Sequence, residues 1–194
     1  MGVRSPLKLV INGNTHEIDV SNVDTLLTVL RDDLGVKSVR GGCDSAQCGS
    51  CTVLLEGKSV KSCSVLALQA NGQSVVTVDG LAEAKGSCSL QSHFARQHAL
   101  QCGFCTPGML LKATEYLDQN ADPDPARIRQ LLRGNLCRCT GYQNIVDAIT
   151  LAAQGEASDK PDSENLLTHS GRVEDSRLLR GEGTFTDDIE LPGQ

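Results

Sequence analysis

The chain has 194 residues, enough for one or two compact domains, and carries a net charge of −6. The negative charge argues against nucleic acid and anionic membranes as partners, and no apolar run is long enough for a transmembrane segment. Hydrophobic residues make up 39 % of the chain and aromatic residues 3 %. A core with so few large side chains would be stabilised by a bound inorganic centre. We see no export signal, and a cytoplasmic location is expected.

The first 80 residues are predicted to form a small sheet with one helix. Asn12-Gly13-Asn14 has the composition of a hairpin turn, Asp24 is a plausible helix N-cap, and Gly35 ends that helix. Strands are predicted at residues 7–11, 16–20, 52–55, 58–60 and 75–78. A hairpin, a helix, a loop and further strands in this order indicate a β-grasp, ferredoxin-like domain.

A cysteine-rich loop lies between the predicted helix and the next strand. Its ligand candidates are Cys43, Cys48, Cys51 and Cys63, the first quartet. The spacing C-x4-C-x2-C with one later cysteine is that of plant-type [2Fe–2S] ferredoxins. Gly41, Gly42 and Gly49 surround these cysteines, and glycines allow the positive φ values and close approach that point amide N–H groups at sulfur.

Residues 81–154 have a helical pattern and are predicted to form a small four-helix bundle. Thr106-Pro107 and Asp124-Pro125 are typical helix openings, because proline suits the first helical position. The helices are predicted over residues 89–100, from residue 106 onward, over residues 125–134, and from Thr140 or Gly141 to residue 153.

The fold class is therefore α+β, and residues 155–170 are predicted to form a polar linker. Residues 171–194 have too few apolar residues to fold alone, so we expect an extended tail that is mobile or lies on a partner.

A second group of cysteines falls within the helical region. It comprises Cys102, Cys105, Cys137 and Cys139, the second quartet. Each of its two cysteine pairs ends in Cys-Thr before a predicted helix. Two thiolates would therefore lie at helix N-termini, where the helix dipole stabilises negative charge. Arg138 either compensates that charge or is simply exposed.

Disulfides and zinc are the alternatives to iron–sulfur clusters. Disulfides need an oxidising compartment, and the second quartet alone is similar to a zinc ribbon. The first spacing favours iron. No catalytic triad, phosphate loop or dinucleotide fingerprint is visible, so we assign no catalytic residue and predict electron transfer as the role.

Three ordered segments resemble the small iron–sulfur subunit of the molybdenum hydroxylases: residues 42–53, 101–109 and 136–142. The resemblance spans residues 7 to 153. It implies two [2Fe–2S] clusters in an oxidoreductase with a large molybdopterin-binding subunit, whose cofactor is expected as the cytosine dinucleotide, and a medium FAD-binding subunit. The second quartet would then face the pterin, the first quartet would face the flavin, and Gln101 and Cys139 would contact the pterin.

The tail resembles the opening of a molybdenum subunit, in residues 171–175 and 178–193. We expect it to complete the large subunit's fold in trans, with a disordered remnant as the alternative. Two other functions stay open at the level of sequence, namely a stand-alone two-cluster ferredoxin and a zinc-stabilised interaction module. An aromatic N-heterocycle or an aldehyde is favoured as the substrate of the complex over carbon monoxide or a purine.

Overall fold

The computed structural model describes residues 3–83, 87–119, 124–154 and 172–189. The fold is α+β, as predicted, with a five-stranded sheet followed by helices. The sheet order is β2-β1-β5-β3-β4; β1 runs parallel to β5, and the other neighbours are antiparallel. The strands are β1 (Arg4–Ile11), β2 (Asn14–Ser21), β3 (Thr52–Leu55), β4 (Lys58–Lys61) and β5 (Ser74–Val76).

One helix packs against the sheet and completes the first core. Alternation along β1 buries Leu7, Leu9 and Ile11, and these side chains meet the helix α1 (Leu26–Thr28), which continues as a π-helical turn, Val29–Asp33. The predicted N-cap is one residue early. Thr25 Oγ1 accepts from the Thr28 amide at 3.2 Å, whereas Asp24 accepts from the Ser21 amide at 2.8 Å and closes the preceding turn.

The helical region has its own core, centred on Phe94, Leu110, Ile128 and Ile145. Its helices are α2 (Val78–Glu83), α3 (Ser87–Arg96), α4 (Thr106–Gln119), α5 (Pro125–Leu131) and α6 (Gln143–Ala153). Three predictions were wrong at the boundaries. The helix predicted over residues 89–100 ends at Arg96, and His98 beyond it has φ of +50°. Val78 opens the unpredicted α2 instead of ending a strand, and α6 begins at 143 because Gly141 and Tyr142 both have φ near +69°.

The described part of the tail, residues 172–189, packs on this chain, and we call it the strap. It contains α7 (Asp175–Leu179), whose Leu178 and Leu179 are buried in the helical core. Gln91 Nε2 donates to the Leu179 carbonyl at 2.9 Å. These residues are therefore ordered on this chain and not mobile, because two adjacent leucines suffice when an existing core receives them, and the expected contact with a partner stays a prediction. The linker and residues 190–194 lie outside the described residues.

Within the described ranges, no helix has the length and apolarity needed to cross a bilayer.

Candidate metal centres

The first quartet divides into an outer and an inner pair of thiols. Cys43 is exposed and Cys48 half-buried, whereas Cys51 and Cys63 are buried against the sheet core and interact with each other. Cys51 precedes β3, and Cys63 lies in the short turn after β4, so the β3–β4 hairpin holds the inner pair.

Backbone amides of the loop point at the sulfurs, as predicted from its glycines. The amides of Ser45 and Cys48 donate to Cys43 Sγ at 3.5 Å and 3.3 Å, and the amide of Ala46 donates to Cys63 Sγ at 3.3 Å. The left-handed residues that produce this curvature are Asp44, Ala46 and Gly49, with φ of +50°, +59° and +75°. Successive amides turned in this way form an anion-binding concavity.

Gly41 and Gly42 do not have the positive φ that the prediction gave them. Gly42 instead provides space, since a Cβ there would lie 3.0 Å from Cys48 Sγ and 3.4 Å from the Phe104 ring. The position therefore excludes side chains where the Cys48 sulfur and the second loop approach each other.

The loop amides also set the acidity of the thiols. Hydrogen bonds from Cys48 and Ser45 lower the pKa of Cys43 to about 6, so this outer thiol is largely a thiolate at neutral pH. Burial raises the pKa of Cys51 to about 11. Because metal-bound cysteine is deprotonated, this inner thiol would have to release its proton in order to bind iron.

The second quartet repeats the outer and inner arrangement on helical supports. Cys102 and Cys139 are exposed, and their sulfurs lie 3.6 Å apart. Cys105 and Cys137 are half-buried and interact with each other. Cys105 directly precedes α4, as expected, but Cys139 lies four residues before α6, so the predicted pair of helix N-termini is wrong at Cys139.

Thr140 and Tyr142 hold Cys137 in place of the missing helix N-terminus. The Thr140 amide lies 3.4 Å from Cys137 Sγ, and its hydroxyl lies 3.1 Å from the same sulfur. The Tyr142 hydroxyl accepts from the Cys137 amide at 2.8 Å and donates to the Asn135 carbonyl at 3.1 Å. The signal for both was the run Cys-Thr-Gly-Tyr, which the sequence analysis used as a helix start and as part of the family resemblance, without assigning a role to either residue.

Burial raises the pKa of Cys105. Burial has the same tendency at Cys137, but there hydrogen bonds outweigh it and lower the pKa of that thiol, foremost those from the hydroxyl and amide of Thr140.

The loops that carry the two quartets touch each other directly. The Leu136 amide donates to the Cys48 carbonyl at 2.8 Å, and Asn135 Nδ2 donates to the Gly49 carbonyl at 3.0 Å. A Cβ on Gly49 would lie 2.3 Å from the Gly134 carbonyl oxygen, and one on Gly108 would lie 2.2 Å from the Gly49 oxygen. Sequence reasoning missed Asn135, which is 3 % exposed and carries no ligand signature.

The donor set of each quartet fits a [2Fe–2S] cluster. In such a cluster the protein ligands are shared between two irons, and cysteine thiolates are the usual donors. Each quartet offers free thiols in this form, as one outer and one inner pair. Among the described residues, no three His, Cys, Asp or Glu side chains form a group that could hold a single metal ion.

Gln101 and Arg138 are both exposed beside the outer thiols of the second quartet. The backbone carbonyl of Gln101 accepts from Arg172 Nη2 of the strap at 2.7 Å. Exposed Cys102, Cys139 and Gln101 therefore share one solvent-facing rim of the helical region.

Family models match both halves of the chain. A 2Fe-2S iron-sulfur cluster binding domain matches residues 9–90, and a [2Fe-2S] binding domain matches residues 77–150. The nicotine 6-hydroxylase small subunit of Paenarthrobacter nicotinovorans is 44 % identical over 158 residues, which is 81 % of this chain and 94 % of that subunit. The chain belongs to the small iron–sulfur subunits of the molybdenum hydroxylases. It is an electron-transfer component of an oxidoreductase complex and binds two [2Fe–2S] clusters.

Solved structures of this family superpose on the subunit. Quinoline 2-oxidoreductase from Pseudomonas putida 86 matches with a TM-score of 0.74 at 42 % identity, over 78 % of this chain and 95 % of that one. Aldehyde oxidoreductase from Desulfovibrio gigas matches with a TM-score of 0.83 at 31 % identity, over 95 % of this chain and 22 % of that one.

Proposed function

We propose that the subunit receives electrons at the rim formed by Gln101, Cys102 and Cys139 and releases them at the exposed side of Cys43. In this assignment a molybdopterin-binding subunit, with the cofactor as its cytosine dinucleotide, covers the first of these surfaces, and an FAD-binding subunit covers the second. The clusters, when bound, take up and pass on electrons one at a time. The eight cysteines assigned as ligands are the two quartets defined above.

The contact between the loops is the observation that carries the proposal. Cys137 is bonded to Leu136, whose amide donates to the carbonyl of Cys48 at 2.8 Å. One hydrogen bond therefore joins a ligand residue of the first quartet to the neighbour of a ligand in the second quartet. Exposed thiols in both quartets leave a docking surface at either end of this connection.

The support for a cytoplasmic location is chemical. All eight cysteines described are free thiols, and they must stay reduced to bind iron. A reducing cytoplasm maintains thiols in that state.

Replacing Gln101 with alanine in the assembled complex tests the pterin-facing assignment. Gln101 is exposed and lies outside the buried helical core, so Gln101→Ala should leave both cluster EPR signals unchanged. It should slow cluster reduction by substrate about tenfold, as expected for the loss of a positioning contact. The matched control is Gln130→Ala on α5, which removes another exposed glutamine. Equal reduction rates for the two variants would contradict the assignment.

We further propose an aromatic N-heterocycle as the substrate of the complex. The support is the set of relatives above 40 % identity, which includes nicotine 6-hydroxylase, nicotinate dehydrogenase from Eubacterium barkeri and the quinoline enzyme, whereas the aldehyde oxidoreductases are 31–36 % identical. A panel of pyridines, quinolines and aldehydes supplied to the purified complex, with cluster bleaching as the readout, tests this class. Bleaching by aldehydes alone would contradict it.

A further inference from the structure

Arg40 is a buried cation that reaches from one cysteine loop to the other. It lies three residues before Cys43, and the residue is only 1 % exposed. Its Nη1 donates to the Gly103 carbonyl at 2.5 Å and to the Phe104 carbonyl at 3.3 Å. Both carbonyls lie between the ligands Cys102 and Cys105, so a side chain of the first loop holds the backbone of the second.

The strap closes over this guanidinium. The Arg40 Cζ atom lies 4.2 Å from the centroid of the Phe185 ring and 5.8 Å from that of Phe104. The two rings meet edge to face, with centroids 5.2 Å apart and planes at 89°. A cation that is both desolvated and stacked on aromatic faces interacts more strongly with them than an exposed one.

No carboxylate among the described residues forms a direct ion pair with the Arg40 guanidinium. Its Nε and Nη2 have no hydrogen-bond partner in the described part of the chain. Asp188 attracts it, but that carboxylate pairs with Arg31 Nη2 at 2.7 Å. Burial lowers the pKa of Arg40 to about 10, so the group is still charged at neutral pH. Arg31 and Arg40 thus share the carboxylate of Asp188, and a net positive charge remains beside the loop of the second quartet.

We propose that Arg40 is a positioning residue that raises the reduction potential of the cluster held by Cys102, Cys105, Cys137 and Cys139. An added electron is stabilised by a nearby positive charge, and the stabilisation is large where water is excluded. Phe185 of the strap supplies that exclusion. The inference depends on cluster binding by the second quartet and is independent of which partner subunit covers which surface.

The test is an EPR-monitored redox titration of the full chain carrying both clusters. Arg40→Gln should lower the one-electron reduction constant of the second-quartet cluster about tenfold, equivalent to about 59 mV, and should shift the first-quartet cluster less. Arg40→Lys keeps the charge and should retain most of the potential. Arg127→Gln removes a charge whose side chain is 69 % exposed, and it should shift neither cluster.

Phe185→Leu is a second variant that keeps Arg40 and alters no residue next to a ligand. Water admitted beside the guanidinium should lower the same reduction constant about two- to threefold. Unchanged potentials in Arg40→Gln, or equal shifts in Arg40→Gln and Arg40→Lys, would overturn the proposal. If Arg40→Gln fails to load its clusters, Phe185→Leu decides, and a potential equal to that of the wild type overturns the proposal.

Discussion

The two quartets present similar thiols but are built in different ways. Three cysteines of the first quartet come from one short loop, whose Ser45 and Cys48 amides donate to Cys43 Sγ and whose Ala46 amide donates to Cys63 Sγ after β4. The cysteines of the second quartet come from two segments separated by α4 and α5. The first site is thus organised largely by local backbone conformation, whereas the second exists only when the helices have packed.

Losing a ligand from an inner pair should have the largest effect. Cys51→Ser should remove the first-quartet cluster and leave the other EPR signal in place, and Cys137→Ser should do the reverse. Thiolates are the usual ligands of these clusters, and a serine hydroxyl is a poor replacement. Each variant should contain half of the wild-type iron and labile sulfide. Loss of both signals from either variant would show that the sites do not assemble separately.

A truncation in each core should separate local from packed assembly. Leu9 in β1 and Leu110 in α4 are both buried, with at most 1 % of each residue exposed. Leucine-to-alanine changes at such positions cost about 2–5 kcal/mol. Leu110→Ala should release the second-quartet cluster at lower denaturant than the first, whereas Leu9→Ala should leave the second-quartet cluster in place. The readout is the EPR signal of each cluster during anaerobic denaturation. If Leu110→Ala releases both clusters at the same denaturant concentration, the proposed difference between local and packed assembly is contradicted.

Two glycines provide a matched test of the contact between the loops. Gly49 and Gly57 both have φ of +75°, but only Gly49 has atoms close to the site of an added Cβ. Alanine should cost roughly 1–2 kcal/mol at either position for the left-handed backbone. Gly49→Ala should cost about 1–3 kcal/mol more, because it forces the Gly134 carbonyl away. Equal free energies of unfolding for both variants would contradict the close approach.

The smallest effect is expected at Tyr142, which links the backbone on both sides of Leu136. Tyr142→Phe removes the hydroxyl that bonds to the Cys137 amide and the Asn135 carbonyl. The expected loss is about 1 kcal/mol in the free energy of unfolding, confined to the helical region. A greater sensitivity of the first-quartet signal would contradict the separation of the two sites.

The parts visible in the sequence were those set by periodicity and by residue chemistry. Both quartets, the strands and most helices follow from cysteine spacing and apolar patterns. The start of α6 did not, because it depends on the left-handed backbone of Gly141 and Tyr142. The role of Asn135 and the packing of the strap on this chain were not visible either, since each depends on a contact distant in the chain: Asn135 with Gly49, and Phe185 with Arg40.

The most direct test of the account is to purify the full chain anaerobically and to follow its EPR spectrum during stepwise reduction, together with iron and labile-sulfide analysis. Two distinct [2Fe–2S] signals are expected, with iron and sulfide in equal amounts sufficient for two clusters per chain. Material with zinc in place of iron, or without labile sulfide, would contradict this result. So would a single EPR signal that persists both after serine substitution in the first quartet and after serine substitution in the second.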